Sequence, residues 1–150
     1  MSRLAAFFQD TDTKFGIFYP EHHLLSAFPN FEDAESAKKA LMTSGWDSAD
    51  IISVPGEEVV YFAEEYLLKH GLWGLLMTQL SRAIGTEAPY ADADLAAAKK
   101  GAAFLAVHCP TDEDKAAAWK VLKPTHPLVA RYYSGSGIEH LAGEYQTGQN

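Results

Sequence analysis

The chain has 150 residues, of which 47% are apolar and 21% are charged, as in a globular domain that buries its own core. It carries 20 acidic and 12 basic residues and a formal net charge of −8, which argues against binding to nucleic acid or to an anionic membrane. The single cysteine, Cys109, allows no internal disulfide and favours a reducing cytoplasm.

The apolar segments do not have the pattern of targeting or membrane-spanning sequences. The N-terminal MSRLAAFFQDTD has too short an apolar run for a signal peptide. The longest apolar-rich stretch, residues 59–84, contains Glu64, Glu65, Lys69 and Arg82, whose charges would make a bilayer span costly. We therefore expect neither a signal peptide nor a membrane association.

Residues 22–54 predict a first β-α-β unit. The apolar run 22–28 is typical of a buried strand. Asn30 is a suitable N-cap for a helix that begins with acidic residues and ends near Gly45. Residues 51–54 then predict the second strand of the unit.

Residues 56–100 predict a helical insertion that follows the first unit. Its first part carries an apolar stripe at helical spacing, made of Val59, Phe62, Tyr66, Trp73, Leu76 and Leu80. We expect residues 57–84 to be helical and to bury this stripe against the protein's own sheet or a second subunit. Of these partners the sequence favours a second subunit, in a compact homodimer.

Residues 101–134 repeat the order strand, helix, strand. Residues 103–109 predict a strand, Thr111 an N-cap followed by three acidic residues, and residues 128–133 the closing strand. Two such units predict a ferredoxin-like α+β sandwich, which is a four-stranded antiparallel sheet with both helices on one face. We expect residues 1–150 to form a single domain.

Three blocks of the sequence together have the pattern of a known family. They are FGIFYPEHHLLSAFPNFEDAESAKKALMTSGWDSADIISVPGEEV, GAAFLAVHCPTDEDKAAAWKVL and ARYYSGSGIEHL. Over residues 15–142 the chain resembles small bacterial proteins related to the general stress protein domain of ferredoxin-like fold. The resemblance implies that fold and a link to stress, but no reaction. Many relatives have a glycine-rich apolar segment between the units; here that segment is charged and amphipathic, which argues against a membrane role.

His108 and Cys109 are neighbours on a predicted strand, where successive side chains point to opposite faces. A cysteine nucleophile needs its histidine within hydrogen-bond distance, so we expect these two residues not to form one site. Cys109 is predicted to be a buried and unreactive thiol. The sequence therefore indicates no catalytic residues.

The histidines raise the question of a metal site. His22 and His23 are adjacent, diverge on a strand and have no Cys or His at ligand spacing nearby, so we expect neither a metal nor a cofactor. A long-range cluster of His23, His108 and His126 is compatible with the predicted fold, but the sequence does not establish it.

The last predicted strand raises the question of what covers the second face of the sheet. Tyr132 and Tyr133 must point to opposite faces, so one of them lies away from the helices of the two units. The insertion helices, a partner subunit or a ligand could cover that face. If it is open, His108, Arg131 and Tyr133 are the candidate ligand-binding residues, with Arg131 holding an anionic group.

These observations favour a non-enzymatic cytoplasmic module for binding or assembly, with a link to stress. The alternative is a small-molecule or metal-binding protein that uses the open sheet face, and the third interpretation is an uncharacterised enzyme. The expected partners are a second copy of the chain and a small ligand that the sequence does not identify, without nucleic acid or membrane.

Overall fold

The part of the chain that the structure describes is built around a five-stranded antiparallel sheet. This computed structural model describes residues 3–8, 13–14, 17–65 and 88–143. Two short strands, Thr13–Lys14 (β1) and Ile17–Phe18 (β2), pair with each other outside the main sheet. The protein therefore belongs to the α+β class.

The main sheet has the strand order β4-β5-β3-β6-β7, and each neighbouring pair is antiparallel. Its strands are His23–Phe28 (β3), Ile51–Val54 (β4), Ala103–His108 (β5), Val129–Tyr133 (β6) and Ile138–Ala142 (β7). Each of the four predicted strands lies within one residue of its expected bounds, and all four belong to this sheet.

The fifth strand corrects the prediction of a four-stranded sheet. The sequence between β6 and β7 is rich in serine and glycine, which is typical of a loop. Here the Ser134 side chain accepts bonds from the backbone N–H groups of Ser136 and Gly137, at 3.2 Å and 3.1 Å, and so closes a turn. The chain then returns along β6 as β7, whose side chains are all partly or fully exposed.

The helices are Arg3–Phe7 (α1), Phe31–Thr43 (α2), residues 56–65 (α3), Ala88–Lys99 (α4) and Asp112–Leu122 (α5). The two predicted N-caps are confirmed. Asn30 accepts a bond from the Asp33 N–H at 2.8 Å, and Thr111 forms a reciprocal capping box with Asp114. Each cap satisfies helix N–H groups that lack an intrahelical partner.

Helices α2 and α5 connect strands that do not touch. Helix α2 connects β3 to β4, which lie on either side of β5, and α5 connects β5 to β6, which lie on either side of β3. Both strands of each connection are antiparallel to the strand between them, so they are parallel to each other.

Both faces of the sheet are buried by the protein itself. The α2/α5 face carries Leu24, Phe28, Ile51, Leu105, Val107, Cys109 and Tyr132, which pack with Ala37 and Leu41 of α2 and Ala118 and Leu122 of α5. The α3/α4 face carries Leu25, Ala27, Ile52, Val54, Phe104, Ala106, Val129 and Tyr133, which pack with Leu4 and Phe8 at α1, Phe62 of α3 and Ala98 of α4. Of the three covers considered from the sequence, the insertion helices, together with α1, pack on this face, so the open surface considered as an alternative is not found among the described residues.

The predicted insertion supplies much of this cover. Phe62 is buried and Val59 packs beside it, as expected for the first part of the apolar stripe. Gly56 lies so close to the end of α4 that a Cβ atom there would collide with the carbonyl oxygens of Ala98 and Ala102. The other stripe residues, Tyr66, Trp73, Leu76 and Leu80, lie outside the described residues. None of the helices described in the structure has the length and apolar character needed to cross a membrane.

Candidate functional site

Ionisable side chains from three elements meet at one end of the sheet. Strand β3 begins there and β5 ends there, so His23 lies directly opposite His108. The short 3-10 turn before β4 brings Asp50 to the same end. We call Glu21, His22, His23, Asp50 and His108 together the histidine end.

His23 is the buried member of the histidine end, with 2% of its surface exposed. Its Nδ1 lies 2.9 Å from the carbonyl oxygen of Glu21, and because a carbonyl only accepts, Nδ1 carries the proton. The ring lies 4.9 Å from the His108 ring, centroid to centroid, with 32° between the ring planes. Burial lowers the pKa of His23 to about 4, and the neighbouring imidazoles add to the effect, so the ring is neutral at pH 7.

His108 and His22 are partly exposed, and each is accompanied by a carboxylate. His108 Nδ1 lies 3.7 Å from Asp50 Oδ1, and 38% of the His108 side chain is exposed. His22 Nε2 lies 3.5 Å from Glu21 Oε2, and 45% of the His22 side chain is exposed. Both imidazoles are therefore accessible to solvent, each beside a carboxylate.

The backbone of His22 is tied to two strands. Its N–H donates to the carbonyl of Tyr133 at 2.6 Å, and its carbonyl accepts from the N–H of Cys109 at 2.7 Å. His22 also has a left-handed backbone, with φ of 66°, which is uncommon for a residue with a side chain. Within the described residues its Nδ1 is buried without a hydrogen-bond partner. The two backbone hydrogen bonds fix the position of His22 relative to β5 and β6.

A buried ion pair lies next to the histidine end, on the α3/α4 face. Arg131 of β6 is 1% exposed and forms an ion pair with Asp94 of α4. Its Nε donates to the Tyr133 hydroxyl at 3.3 Å. Burial raises the pKa of Tyr133 above its ordinary value, so this hydroxyl keeps its proton. The network joins α4 to the sheet through charge as well as apolar contact.

Cys109 lies on the other face of the sheet from His108, as the alternation of side chains predicts. It is completely buried among the apolar residues of the α2/α5 face. Burial raises the pKa of its thiol to about 12, and the carboxylates of Asp114 and Asp50 add to the rise. Its lack of reactivity stays a prediction, which slow labelling of the native protein by a thiol reagent would support.

The three candidate ligand-binding residues lie on one face, as predicted, but they do not form one exposed site. His108 is at the accessible end, whereas Arg131 and Tyr133 are buried and bonded to each other. Of the conceivable cluster of three histidines, His23 and His108 meet. His126 is exposed just before the start of β6, whereas the histidine end lies where β6 finishes, so the larger cluster is not formed.

Three carboxylates of this region, those of Glu21, Asp50 and Asp94, were not identified as site residues from the sequence. Asp50 and Asp94 reach their partners from positions 58 and 37 residues away, His108 and Arg131 respectively, so spacing along the chain gave no signal. The left-handed backbone conformation of His22 was likewise not predicted from the sequence. Among the residues that the structure describes, no group of three or more His, Cys, Asp or Glu side chains is arranged to hold a metal ion.

We compared the chain with protein-family models, with curated proteins and with solved structures. None of the three comparisons found a match. The site is therefore interpreted from its own geometry and charge.

Proposed function

We propose that the protein is a non-enzymatic binding module of ferredoxin-like fold, which binds a positively charged partner at its histidine end. The strand order β4-β5-β3-β6 supports the fold, because it is the order of two interlocked β-α-β units. The packing of α2 and α5 on the same face also supports it. Strand β7 is then an addition at the edge next to β6.

One observation carries the proposed site. Two partly exposed imidazoles, His22 and His108, each lie within 4 Å of a carboxylate, directly beside the buried ring of His23. The strand residues deeper in the sheet are mostly apolar. Side chains on loops and strand ends that a rigid sheet holds in place are common positions for binding residues.

The charges at this end favour a cationic partner. The carboxylates of Glu21 and Asp50 are 39% and 47% exposed, so both can contact a partner from solvent. Asp114, at the start of α5, is close enough to act electrostatically on Cys109 from the same end. With a net charge of −8, the protein would attract a basic peptide or basic protein surface through its overall field as well.

A non-enzymatic role is supported by the burial of Cys109, the residue of this region that could otherwise act as a thiol nucleophile. Cys109 is the only cysteine of the chain and it is buried. Burial raises the pKa of its thiol to about 12, so the reactive thiolate is unfavourable. His108, the histidine next to it in sequence, points to the other face. A Cys–His pair of the kind that activates a thiol is not formed by these two residues.

The second candidate is a small-ligand or metal site built from the same residues. The close approach of His23 and His108 favours it, because adjacent imidazoles are common ligands of transition metals. Arg131 and Tyr133 lie on the same face, and an anionic molecule that reached Arg131 would compete with Asp94 for it.

Three further parts of the proposal rest on sequence. A cytoplasmic location is supported by the single, buried cysteine. A role in stress is supported only by the family-like blocks in residues 15–142. A homodimer is supported by the apolar composition of residues 59–84, and sedimentation velocity over a range of protein concentrations tests it.

The experiment is an NMR titration of the ¹⁵N-labelled protein with three separate probes: a tetralysine peptide, Zn²⁺ and inorganic phosphate. We expect tetralysine to shift the backbone signals of the histidine end and to bind more weakly as salt is added. Replacing both carboxylates, in Glu21→Gln with Asp50→Asn, should weaken peptide binding roughly tenfold, since each exposed charge contributes up to about 1 kcal/mol.

Glu32→Gln is the matched control, because Glu32 is an exposed acid at the start of α2, beyond the opposite end of β3. It should leave peptide binding unchanged. Shifts caused only by Zn²⁺ or only by phosphate would overturn the proposed partner class in favour of the second candidate. If no probe shifts these signals, the histidine end is not a binding site for any of them.

A further inference from the structure

The N-terminal helix α1 packs directly on the buried ring of His23. The Phe7 and Phe8 rings lie 5.4 Å and 5.0 Å from the His23 ring, centroid to centroid, both edge-on. Leu4 and Phe8 are buried against the α3/α4 face. Part of the surface of the His23 ring is therefore covered by two aromatic rings that offer it no hydrogen bond.

A proton on His23 has no favourable place while α1 is closed. Nδ1 already donates to the Glu21 carbonyl, so an added proton goes to Nε2 and makes the ring a cation. That cation would be buried under the phenylalanine rings and beside two other imidazoles, His22 and His108. Hydrogen bonds to the backbone carbonyls of Glu21 and Pro20 favour the cation, but burial of the ring outweighs them, so protonation and closure oppose each other.

The charged and titratable groups around His23 come from every neighbouring element. The preceding turn provides Glu21 and His22, and β5 provides His108 with Asp50 beyond it. Strand β6 provides Tyr133, which is opposite His23 in the sheet register. Helix α1 provides Arg3, whose charge is paired with Glu58 of α3 at 3.0 Å. In the structure the carboxylate of Glu21 lies beside the His22 ring, and the carboxylate of Asp50 lies beside the His108 ring.

Among the described residues, the polar side-chain attachments of α1 to the rest of the protein come from Arg3. Besides its apolar contacts, Arg3 donates to Glu58 and, at 3.4 Å, to the carbonyl of Ser53. The ion pair is exposed and therefore weak. A helix of five residues also has little stability of its own. Moving α1 away is thus an easier way for His23 to reach water than unfolding the sheet, whose other face is held by α2 and α5.

We propose that α1 is an acid-released cover: when His23 takes up a proton, Phe7 and Phe8 leave the sheet while α2 and α5 stay packed. Opening adds the ring of His23 and the apolar surface around Phe62 to the accessible part of the histidine end. Acidification would then change what this end of the protein can bind. This inference stands on the packing of α1 and holds whatever the partner is.

The test is amide hydrogen exchange measured by NMR at pH 7.5 and pH 5.0, expressed as protection factors so that the intrinsic pH dependence of exchange is removed. The reporter is the N–H of Phe8, which donates to the carbonyl of Leu4 at 3.0 Å. If the open state restores an ordinary histidine pKa of about 6.5, the protection of Phe8 should fall about 30-fold over this range. Amides in the middle of α2 and α5 should keep their protection.

Two variants decide whether His23 is responsible. In His23→Leu the fall in Phe8 protection should disappear, and in His108→Gln, which keeps His23, it should persist. His126→Gln is the control, because His126 is an exposed histidine away from α1. The proposal is wrong if the wild-type protection of Phe8 does not change with pH, or if α2 and α5 lose protection in parallel. It is also wrong if His23→Leu behaves like His126→Gln, or if the fall disappears in His108→Gln.

Discussion

The two faces of the sheet are built from different chemistry. The α2/α5 face is mostly apolar, with Ser26 and Ser53 as its buried polar strand residues among those described, and Ser53 donates to Glu35 of α2. The α3/α4 face buries His23, Arg131 and Asp94 among its apolar side chains. Buried polar groups are unfavourable unless they are bonded, so a sequence selected only for stability would not need them there. The two faces therefore differ in how they are stabilised: the α2/α5 face mainly by apolar packing, and the α3/α4 face by apolar packing together with buried polar groups.

The faces also differ in how their helices are fixed. Helices α2 and α5 begin with side-chain caps and acidic first turns, which are local signals. Helix α4 has no acidic residue in its first turn, and Asp94, in its second turn, pairs with an arginine on the sheet. Helix α1 is held by its packing on His23 and by the contacts of Arg3. The α3/α4 face thus depends more on long-range polar contacts, and substitutions should separate the two.

The largest effect should follow the loss of the buried carboxylate. Asp94→Ala removes the ion-pair partner of a charge that is 1% exposed, and we expect it to lower the free energy of unfolding by about 3–5 kcal/mol. Urea unfolding measures the change. Adding Arg131→Met to this variant should recover much of the loss, because the buried charge that lost its Asp94 carboxylate is then removed as well. Glu64→Ala, an exposed acid on α3, should change stability by less than about 0.5 kcal/mol. Equal effects of Asp94→Ala and Glu64→Ala would contradict the comparison.

A substitution that leaves a cavity in the α2/α5 face should lower stability, and no second substitution of a charged residue should restore it. Leu105 is completely buried between the sheet and its helices, so Leu105→Ala should cost about 3 kcal/mol. The loss should be the same at pH 7.5 and pH 5.0, since the α2/α5 face buries no histidine among the described residues. Leu128→Ala, at a leucine that is 41% exposed, is the control and should have a much smaller effect. A strong pH dependence in Leu105→Ala alone would argue that the faces are coupled.

Acid should weaken the α3/α4 face specifically. The pKa of His23 is about 4 in the folded protein and about 6.5 when unfolded, so between these values the unfolded chain binds more protons. Stability from this group is therefore complete above about pH 6.5 and is lost as the pH falls toward 4. We expect a loss of up to about 2 kcal/mol between pH 7.5 and pH 5.0, and less in His23→Leu. A wild-type protein whose urea midpoint is identical at both pH values would refute this.

The smallest effect should come from a local cap. Thr111→Ala removes the oxygen that accepts from the Asp114 N–H at 3.0 Å, and it should cost about 1 kcal/mol at either pH. Thr111→Ser keeps that oxygen and should be close to wild type. Thermal unfolding at matched protein concentration compares the two. If serine is as destabilising as alanine, the methyl group of Thr111 matters more than its cap.

These differences explain what sequence reasoning found and what it missed. Strands β3 to β6 and the caps of α2 and α5 have short-range patterns, so they were predicted nearly in place. Strand β7 follows a serine- and glycine-rich turn and buries little, so neither its composition nor its periodicity marked it. In the sequence, Asp94 cannot be distinguished from an ordinary acidic residue on a helix surface. Its ion pair with Arg131 forms only when the helix packs on the sheet. The candidate site depends on strand register, which no local pattern contains.

Arg3 lies beside β4, an outer strand of the sheet, and its guanidinium donates a hydrogen bond to the Ser53 carbonyl. Outer strands are places where identical chains add to one another through backbone hydrogen bonds, and positive charge is a common defence against this. Because Arg3 belongs to α1, any condition that displaces the helix also removes this defence from β4. Acid storage of the protein would then favour edge-to-edge self-association, and a buffer near neutral pH would keep the chain dispersed.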